Sequence, residues 1–294
     1  GTIGPSLKQN SRPSPRERVN LRQQFQRTTS GLLADSDDLV LLLGDIGVHS
    51  FRSEFAAFPS RVLNFGIMEQ TMVSFASGLA AAGLVPVLHS IAPFLVERAL
   101  EQIKVDFGYQ GLRGNFVSVG ASFDYAALGG THHAPGDVAT LLAVPGLQIF
   151  LPGHAKELDD MMRTRAMQES LNYFRLSEIS NVDHNINRPG EGTVLRNGDR
   201  GTVIVFGPLL DSVLGAIDGA DLQVIYLTEL TEQSVSHALS MVRNRKVLIV
   251  EPFYEASSAV VFARAQREVF DFRFIGVSLA FIHSYGKVYD KLET

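Results

Sequence analysis

Three polar stretches carry the side chains of this sequence that can do chemistry. They are Gly44-Asp45-Ile46-Gly47-Val48-His49-Ser50, Asn64-Phe65-Gly66-Ile67-Met68-Glu69-Gln70, and the segment from Gly120 to Asp137 around Gly129-Gly130-Thr131-His132-His133. Carboxylates and imidazoles hold and move protons, so these stretches offer acid–base work. Taken singly, each has a plainer reading. Asp45 can cap a turn, and a glutamate in a first helical turn is favoured by the helix dipole by ~0.3–1 kcal/mol. Adjacent histidines rarely point at one ion, and the sequence identifies no third ligand, so no metal site is expected. Gly44-x-x-Gly47 lacks the spacing of a dinucleotide-binding fingerprint.

The elements that must position these residues follow from composition and periodicity. The chain has 294 residues, 26 Lys+Arg and 31 Asp+Glu, for a net charge of −5, with 45% hydrophobic and 19% charged residues. Those figures describe a globular protein, exclude a disordered one and suggest two domains. The absence of cysteine excludes disulfides, thiolate metal sites and a cysteine nucleophile. Mild acidity without a basic block argues against a nucleic-acid partner. Runs such as Leu39–Leu43 and Val247–Val250 are far short of the roughly 18 residues of a bilayer span, so no membrane partner is expected. With no secretory signal visible, the expected location is cytoplasmic.

Residues 1–16, with Pro5, Pro13 and Pro15, read as a flexible tail, and Gly1 in place of Met as the mark of a processed or trimmed start. Val19, Leu21, Phe25, Leu32 and Leu33 recur at helical spacing, and Leu39–Leu43 is a wholly apolar strand of the kind buried in a parallel sheet. The alternation continues through helix Met68–Ala82, closed by Gly83, strand Val85–Leu88, helix Phe94–Phe107 and strand Phe116–Val119. Helix Asp137–Val144, strand Leu147–Leu151, helix Ala155–Glu169 and strand Leu171–Phe174 follow. Strand and helix in this rhythm predict a doubly wound parallel sheet over residues 17–180. Residues 181–200, rich in Asn, Asp, Gly and Pro, read as a linker. The rhythm then restarts with strand Thr202–Phe206 and ends with strand Phe272–Val277, a smaller α/β domain over 201–294. Ligands of such sheets bind beyond the carboxyl ends of the strands, where the three polar stretches fall.

In order, Arg61-x-x-Asn64-x-Gly66-Ile67-x-Glu69-Gln70, a Gly/Ala-rich helix, Gly83-x-x-Pro86, Phe94…Arg98-Ala99-x-Glu101-Gln102-Ile103, Thr131-His132 and Pro145-Gly146-x-x-x-x-x-Pro152 follow one another. That series resembles the carboxy-terminal half of transketolase: the pyrimidine-binding domain of thiamine-diphosphate enzymes followed by the transketolase carboxy-terminal domain. The likeness is strong over Arg18–Arg175 and weaker from Gly201 on, where Val250-Glu251 and Tyr285-Gly286 are its best echoes.

The resemblance implies thiamine diphosphate as cofactor and gives roles to matching residues. Glu69 matches the glutamate that hydrogen-bonds the aminopyrimidine ring nitrogen so that the 4′-amino group can act as a base. A pKa raised by apolar burial, with Phe65 and Ile67 as the wall, would suit it. Phe94 falls where an aromatic lies against the aminopyrimidine, with Ile91 at the neighbouring position; core packing is the rival reading for both. Gly66 and Ile67 complete the cofactor turn, and Asp45 matches an acidic residue near cofactor and subunit junction. His132 matches a histidine facing the reacting carbon, Arg175 an arginine used on substrate phosphate, and His49 the place of a phosphate-binding serine.

The other half of the family's machinery is missing. Its diphosphate-binding domain is marked by Gly-Asp-Gly followed by Asn, and no Gly-Asp-Gly occurs in this chain. The expected arrangement is a split enzyme in which a second subunit holds the diphosphate and Mg²⁺, two copies of each forming a heterotetramer. The alternative is that this chain is one half of a longer protein. The sequence also departs from transketolase at Leu128, where the family has an aspartate for a sugar hydroxyl, and at Gly120, where it has a histidine. Both changes point to a specialised substrate. The expected function is therefore two-carbon ketol or acyl transfer from a ketose, sugar phosphate or 2-oxo acid to an aldehyde. The alternatives are a 2-oxo-acid decarboxylase or 1-deoxyxylulose-phosphate-synthase-like carboligase subunit, a non-catalytic regulatory subunit, and a generic nucleotide-binding protein.

Overall fold

The structure is a computed structural model that describes residues 19–185 and 187–283; the amino-terminal tail and Tyr285-Gly286 lie outside them. Helix α1 (Leu21–Asp35) starts with a capping box, in which Asn20 Oδ1 accepts from Gln23 N and the Gln23 side chain accepts from Asn20 N. This satisfies two of the amide donors that a helix start leaves open. Strand β1 (Leu39–Leu43) is buried along its whole length. Helix α2 (Arg52–Ala57) and strand β2 (Val62–Asn64) follow, then α3 (Glu69–Ala81) and β3 (Val85–Ile91). Gly83, at φ +92°, terminates α3 as expected.

The predicted helix Phe94–Phe107 is instead a broken one: a π turn over Pro93–Glu97, a short α4 (Leu100–Gln102) and a second π turn over Ile103–Tyr109. Strand β4 (Gly114–Val119), helix α5 (Asp137–Leu141), β5 (Leu147–Phe150), α6 (Ala155–Arg165) and β6 (Leu171–Arg175) complete this part. The second part contains β7 (Thr193–Arg196), β8 (Thr202–Phe206), α7 (Leu210–Ala216), β9 (Gln223–Leu227) and β10 (Glu229–Leu230). It ends with α8 (Glu232–Ser240), β11 (Lys246–Tyr254), α9 (Ala259–Ala265) and β12 (Asp271–Val277).

The first sheet has the order β10-β5-β6-β4-β3-β1-β2, all parallel except β10. Leu39, Leu41, Leu43, Phe25, Leu158 and Met162 fill one face under α1 and α6. Val40, Leu42, Met72, Val73, Leu95 and Phe107 fill the other under α3 and the π turns. Because residues of one strand alternate between two apolar cores, the strand shows no polar face. The second sheet is β12-β11-β8-β9-β7, parallel but for the edge strand β7.

Three strands were not named from the sequence, and β2, which pairs parallel with β1, is the first. β7 forms within the predicted linker and pairs antiparallel with β9. β10, only two residues long, leaves the second part to pair with β5 of the first sheet. The core on the α3 face likewise continues into Ile204, Phe206 and Phe253 of the second part. Beside it Glu157, buried, accepts from Gly153 N at 2.8 Å, Asn185 N at 2.7 Å and Tyr226 Oη at 2.9 Å. Sheet, core and hydrogen bonds thus all cross the junction.

Glu251 in β11 is buried on the face toward α9. Its Oε2 accepts from Ser258 Oγ and, at 3.3 Å, from Ser258 N, while Oε1 has no partner. Burial pushes the carboxyl up from 4.5 to about 7, against the pull of those donors. An acid with a raised native pKa is held protonated by the fold, so its contribution to stability is lost as pH rises from 4.5 through about 7. Replacement Glu251→Gln should therefore flatten the fall in melting temperature across that window. Parallel curves for the two proteins in a thermal-shift titration would contradict the assignment.

Candidate cofactor and active site

The turn into α3 sets the centre of the site. Gly66 sits at φ +65°, a left-handed conformation that glycine takes without a Cβ clash, and its N–H donates to Asn64 Oδ1 at 3.0 Å. Glu69, first residue of α3, is directed inward and is 1% exposed. Ser90 Oγ, near the end of β3, donates to Glu69 Oε1 at 3.0 Å. Arg98 Nη1, just past the first π turn, donates to Oε2 at 2.6 Å. Gly44, directly after β1, lies so close that a Cβ there would be 3.0 Å from Ser90 Oγ and 3.3 Å from Glu69 Oε1.

The expected apolar wall is not what surrounds this carboxylate. Ile67 points outward, 71% exposed, and Phe65 packs on Phe75 with ring centroids 5.0 Å apart. Burial comes instead from β1, β3 and the Arg98 side chain, so a cation and a hydroxyl meet the carboxylate. Removing such a partner from a buried charge typically costs ~3–5 kcal/mol.

Phe94 adjoins this pair. The Arg98 guanidinium carbon lies 4.2 Å from the centre of its ring, and the His132 ring meets it edge-on at 5.1 Å. Glu69, Arg98, Phe94 and His132 thus form one continuous chain of contacts. His132 Nδ1 is 3.0 Å from Thr131 Oγ1. Partial burial, with a smaller push from His133, lowers the pKa of His132 below 6.5, so the imidazole is neutral at neutral pH. Beside it a cavity of about 400 Å³ is lined by Glu97, Thr131, His133 and, from the second part, Tyr254. Burial, with Asp137 adding, raises the pKa of Glu97 there.

The other expected residues lie apart from this chain. Asp45 is exposed at φ +65°, its N–H donating to Asn64 Oδ1 at 3.1 Å, and His49 is exposed on the same loop. Ile91 is a core residue under α1, which favours the packing reading over a cofactor contact. Leu128 is exposed, an apolar side chain on the loop before His132. At Gly120, φ +77°, a Cβ would come within 2.7 Å of the Tyr125 ring, so the missing histidine is matched by a tyrosine lying over its place.

Arg175, expected to meet a substrate phosphate, lies inside the fold. Its side chain is 2% exposed and its Nε donates to Asp137 Oδ2 at 2.7 Å. A second nitrogen donates to Ser122 Oγ at 2.8 Å, and Tyr173 Oη donates to the same Asp137 oxygen at 2.7 Å. Ser122 in turn donates to Pro252 O of the second part. A guanidinium so enclosed ties the loop and the two parts together. Arg22 is exposed. With Asn20, Gly120, Tyr125, Ser177 and Glu178 it lines a cavity of about 360 Å³ at the carboxyl ends of β4 and β6. A cation two residues past an N-cap gave no sequence signal, because only the fold brings the α1 start over those strand ends.

The enclosed pair gives a measurable consequence. Arg175→Ala leaves Asp137 charged and unpaired in the core, which should cost ~3–5 kcal/mol of folding stability. Denaturant unfolding checks this. A variant of native stability would contradict the structural assignment.

The model of the transketolase pyrimidine-binding domain matches residues 17–181. An uncharacterized 33.6 kDa protein of the fasciation locus of Rhodococcoides fascians is 36% identical over 239 residues, 80% of this chain and 76% of that protein. A subunit of the apulose-4-phosphate transketolase of Actinobacillus succinogenes is 33% identical over 164 residues, 54% of this chain and 52% of that subunit. A solved split-gene transketolase, described as an inactive β4 tetramer, superposes with a TM-score of 0.79 at 24% identity, covering 94% of this chain and 93% of its own; at that identity the likeness is one of fold. With that match over more than half its length, the chain belongs to the family of the transketolase pyrimidine-binding domain.

Proposed function

We propose that this chain is the pyrimidine-binding subunit of a two-component, thiamine-diphosphate-dependent transketolase-like enzyme. The observation that carries the proposal is the buried Glu69 carboxyl beside the Phe94 ring and the neutral His132 imidazole. A hydrogen-bonding carboxyl, an aromatic face and a glycine that leaves room at Gly44 suit a flat nitrogen heterocycle. Bound thiamine diphosphate supplies carbanion chemistry at its thiazolium carbon.

The chain's own residues have three tasks. Glu69 hydrogen-bonds the pyrimidine ring nitrogen and holds or returns its proton. Phe94 fixes the plane of the ring. His132, uncharged, accepts a proton from the substrate oxygen and can return it afterwards. The substrates are a ketose, sugar phosphate or 2-oxo acid as two-carbon donor and an aldehyde as acceptor. Leu128 and Gly120, less polar than the family residues, favour a specialised pair.

Diphosphate and Mg²⁺ fall to a partner subunit carrying Gly-Asp-Gly, a sequence this chain does not contain. The relative from Actinobacillus succinogenes, itself named as one subunit of a transketolase, supports such a partner. So does the exposed apolar rim of Ile67, Met68 and Phe75 beside Glu69, because large apolar side chains clustered at a site mark a contact surface. Two copies of each subunit, working in the cytoplasm, complete the proposal. Among the described residues no helix is long and apolar enough to cross a membrane.

Reconstitution with the partner tests the proposal. Glu69→Ala should fold, since the released Arg98 is partly exposed and can hydrate, and should lower turnover by about 10²-fold or more. Equal turnover would reject the catalytic reading. Paired changes Ile67→Asp and Phe75→Asp should abolish co-elution with the partner while leaving this chain folded; unimpaired assembly would place the interface elsewhere. Release of product from a ketose donor supports transketolase chemistry, whereas decarboxylation of pyruvate alone would move the assignment to the carboligases.

A further inference from the structure

Arg98 belongs to the series that carries the family likeness, yet neither the spacing nor the likeness gave it a role. Its guanidinium makes two contacts. Nη1 donates to Glu69 Oε2 at 2.6 Å, and the planar group lies over Phe94 at 4.2 Å. Those are the two surfaces, a carboxylate and an aromatic face, that the site offers a flat heterocycle. A guanidinium also resembles an aminopyrimidine in shape: both are planar, delocalised and contain an N–C–N unit, although the ring nitrogens of the pyrimidine accept where those of the guanidinium donate.

The local backbone explains the position. Pro93 opens the π turn, and Arg98 N donates to Pro93 O at 3.1 Å, the wide hydrogen bond of that turn. Phe94 and Arg98 then lie one over the other, four residues apart. The two partners differ in freedom. Glu69 is 1% exposed, whereas the Arg98 side chain is 35% exposed and has solvent to move into. Ser90 donates to the other oxygen, Oε1, at 3.0 Å, so that hydrogen bond does not run through Arg98.

We propose that Arg98 is a built-in stand-in for the cofactor's pyrimidine ring: it satisfies Glu69 and covers Phe94 while the site is empty, and it yields both when the ring enters. The inference rests on the reading of Glu69 and Phe94 as the pyrimidine site. It has two consequences. A buried carboxylate never faces the empty site unpaired, which keeps the site formed before the cofactor arrives. The cofactor must also compete with an internal ligand, so its apparent affinity is reduced by the fraction of chains in which the slot is free.

The test measures binding of a free aminopyrimidine, 4-amino-5-hydroxymethyl-2-methylpyrimidine, to the full chain by calorimetry. Arg98→Ala should bind it about tenfold more tightly than the wild type and melt at a lower temperature when empty. Glu69→Ala should lose binding. With Glu69→Ala still defective, equal binding by Arg98→Ala would show that Arg98 does not compete with the ring and weaker binding that it holds the ring; either would overturn the proposal alone. Unchanged binding by Glu69→Ala would overturn the pyrimidine-site reading itself. If the alanine chain does not fold, Arg98→Met, which keeps an unbranched stem against Phe94, carries the same expectation.

Discussion

A carboxylate held out of water is the constraint on which the rest of this structure turns. Glu69 begins a helix, yet the left-handed turn at Gly66 directs it inward, between the ends of β1 and β3. A charge there is costly unless donors surround it, and Ser90 and Arg98 are those donors. The strand ends fix Ser90 and Gly44, and the π turn fixes Arg98 and Phe94. The parallel sheet is thus the scaffold for one polar contact at its carboxyl edge, where open α/β sheets place their ligands.

The second part of the chain is bound to that scaffold more closely than a linker would allow. β10 extends the first sheet, the Glu157 hydrogen bonds span the junction, and Ser122 joins the buried Arg175–Asp137 pair to Pro252. Tyr254 then reaches the cavity beside His132. Loop, junction and cavity share side chains, so the region around the candidate substrate site is organised by both parts.

Much of the fold was legible because parallel strands buried on both faces read as near-continuous apolar runs, as Leu39–Leu43 and Val203–Phe206 do. Glu69 and Phe94 were legible from the family pattern, and the chain of contacts joins them. What escaped the sequence depends on distance along the chain. β10 is two residues whose partner lies some eighty positions earlier, and the π turns have the same apolar periodicity as an α-helix over so short a span. The pairing of Arg175 was not visible because an arginine at a strand end looks the same whether it meets solvent or a buried aspartate; only the fold brings Asp137 to it. Burial of Glu69 was expected, but its source was not. Arg98, twenty-nine positions away, closes over the carboxylate, while Ile67 faces outward.

A crystal structure of this chain assembled with its partner subunit, thiamine diphosphate and Mg²⁺ addresses the central claim most directly. The account predicts the pyrimidine ring against Phe94 with a ring nitrogen within hydrogen-bond distance of the Glu69 carboxyl. A ring bound elsewhere, with Glu69 still closed off by Arg98, would contradict it.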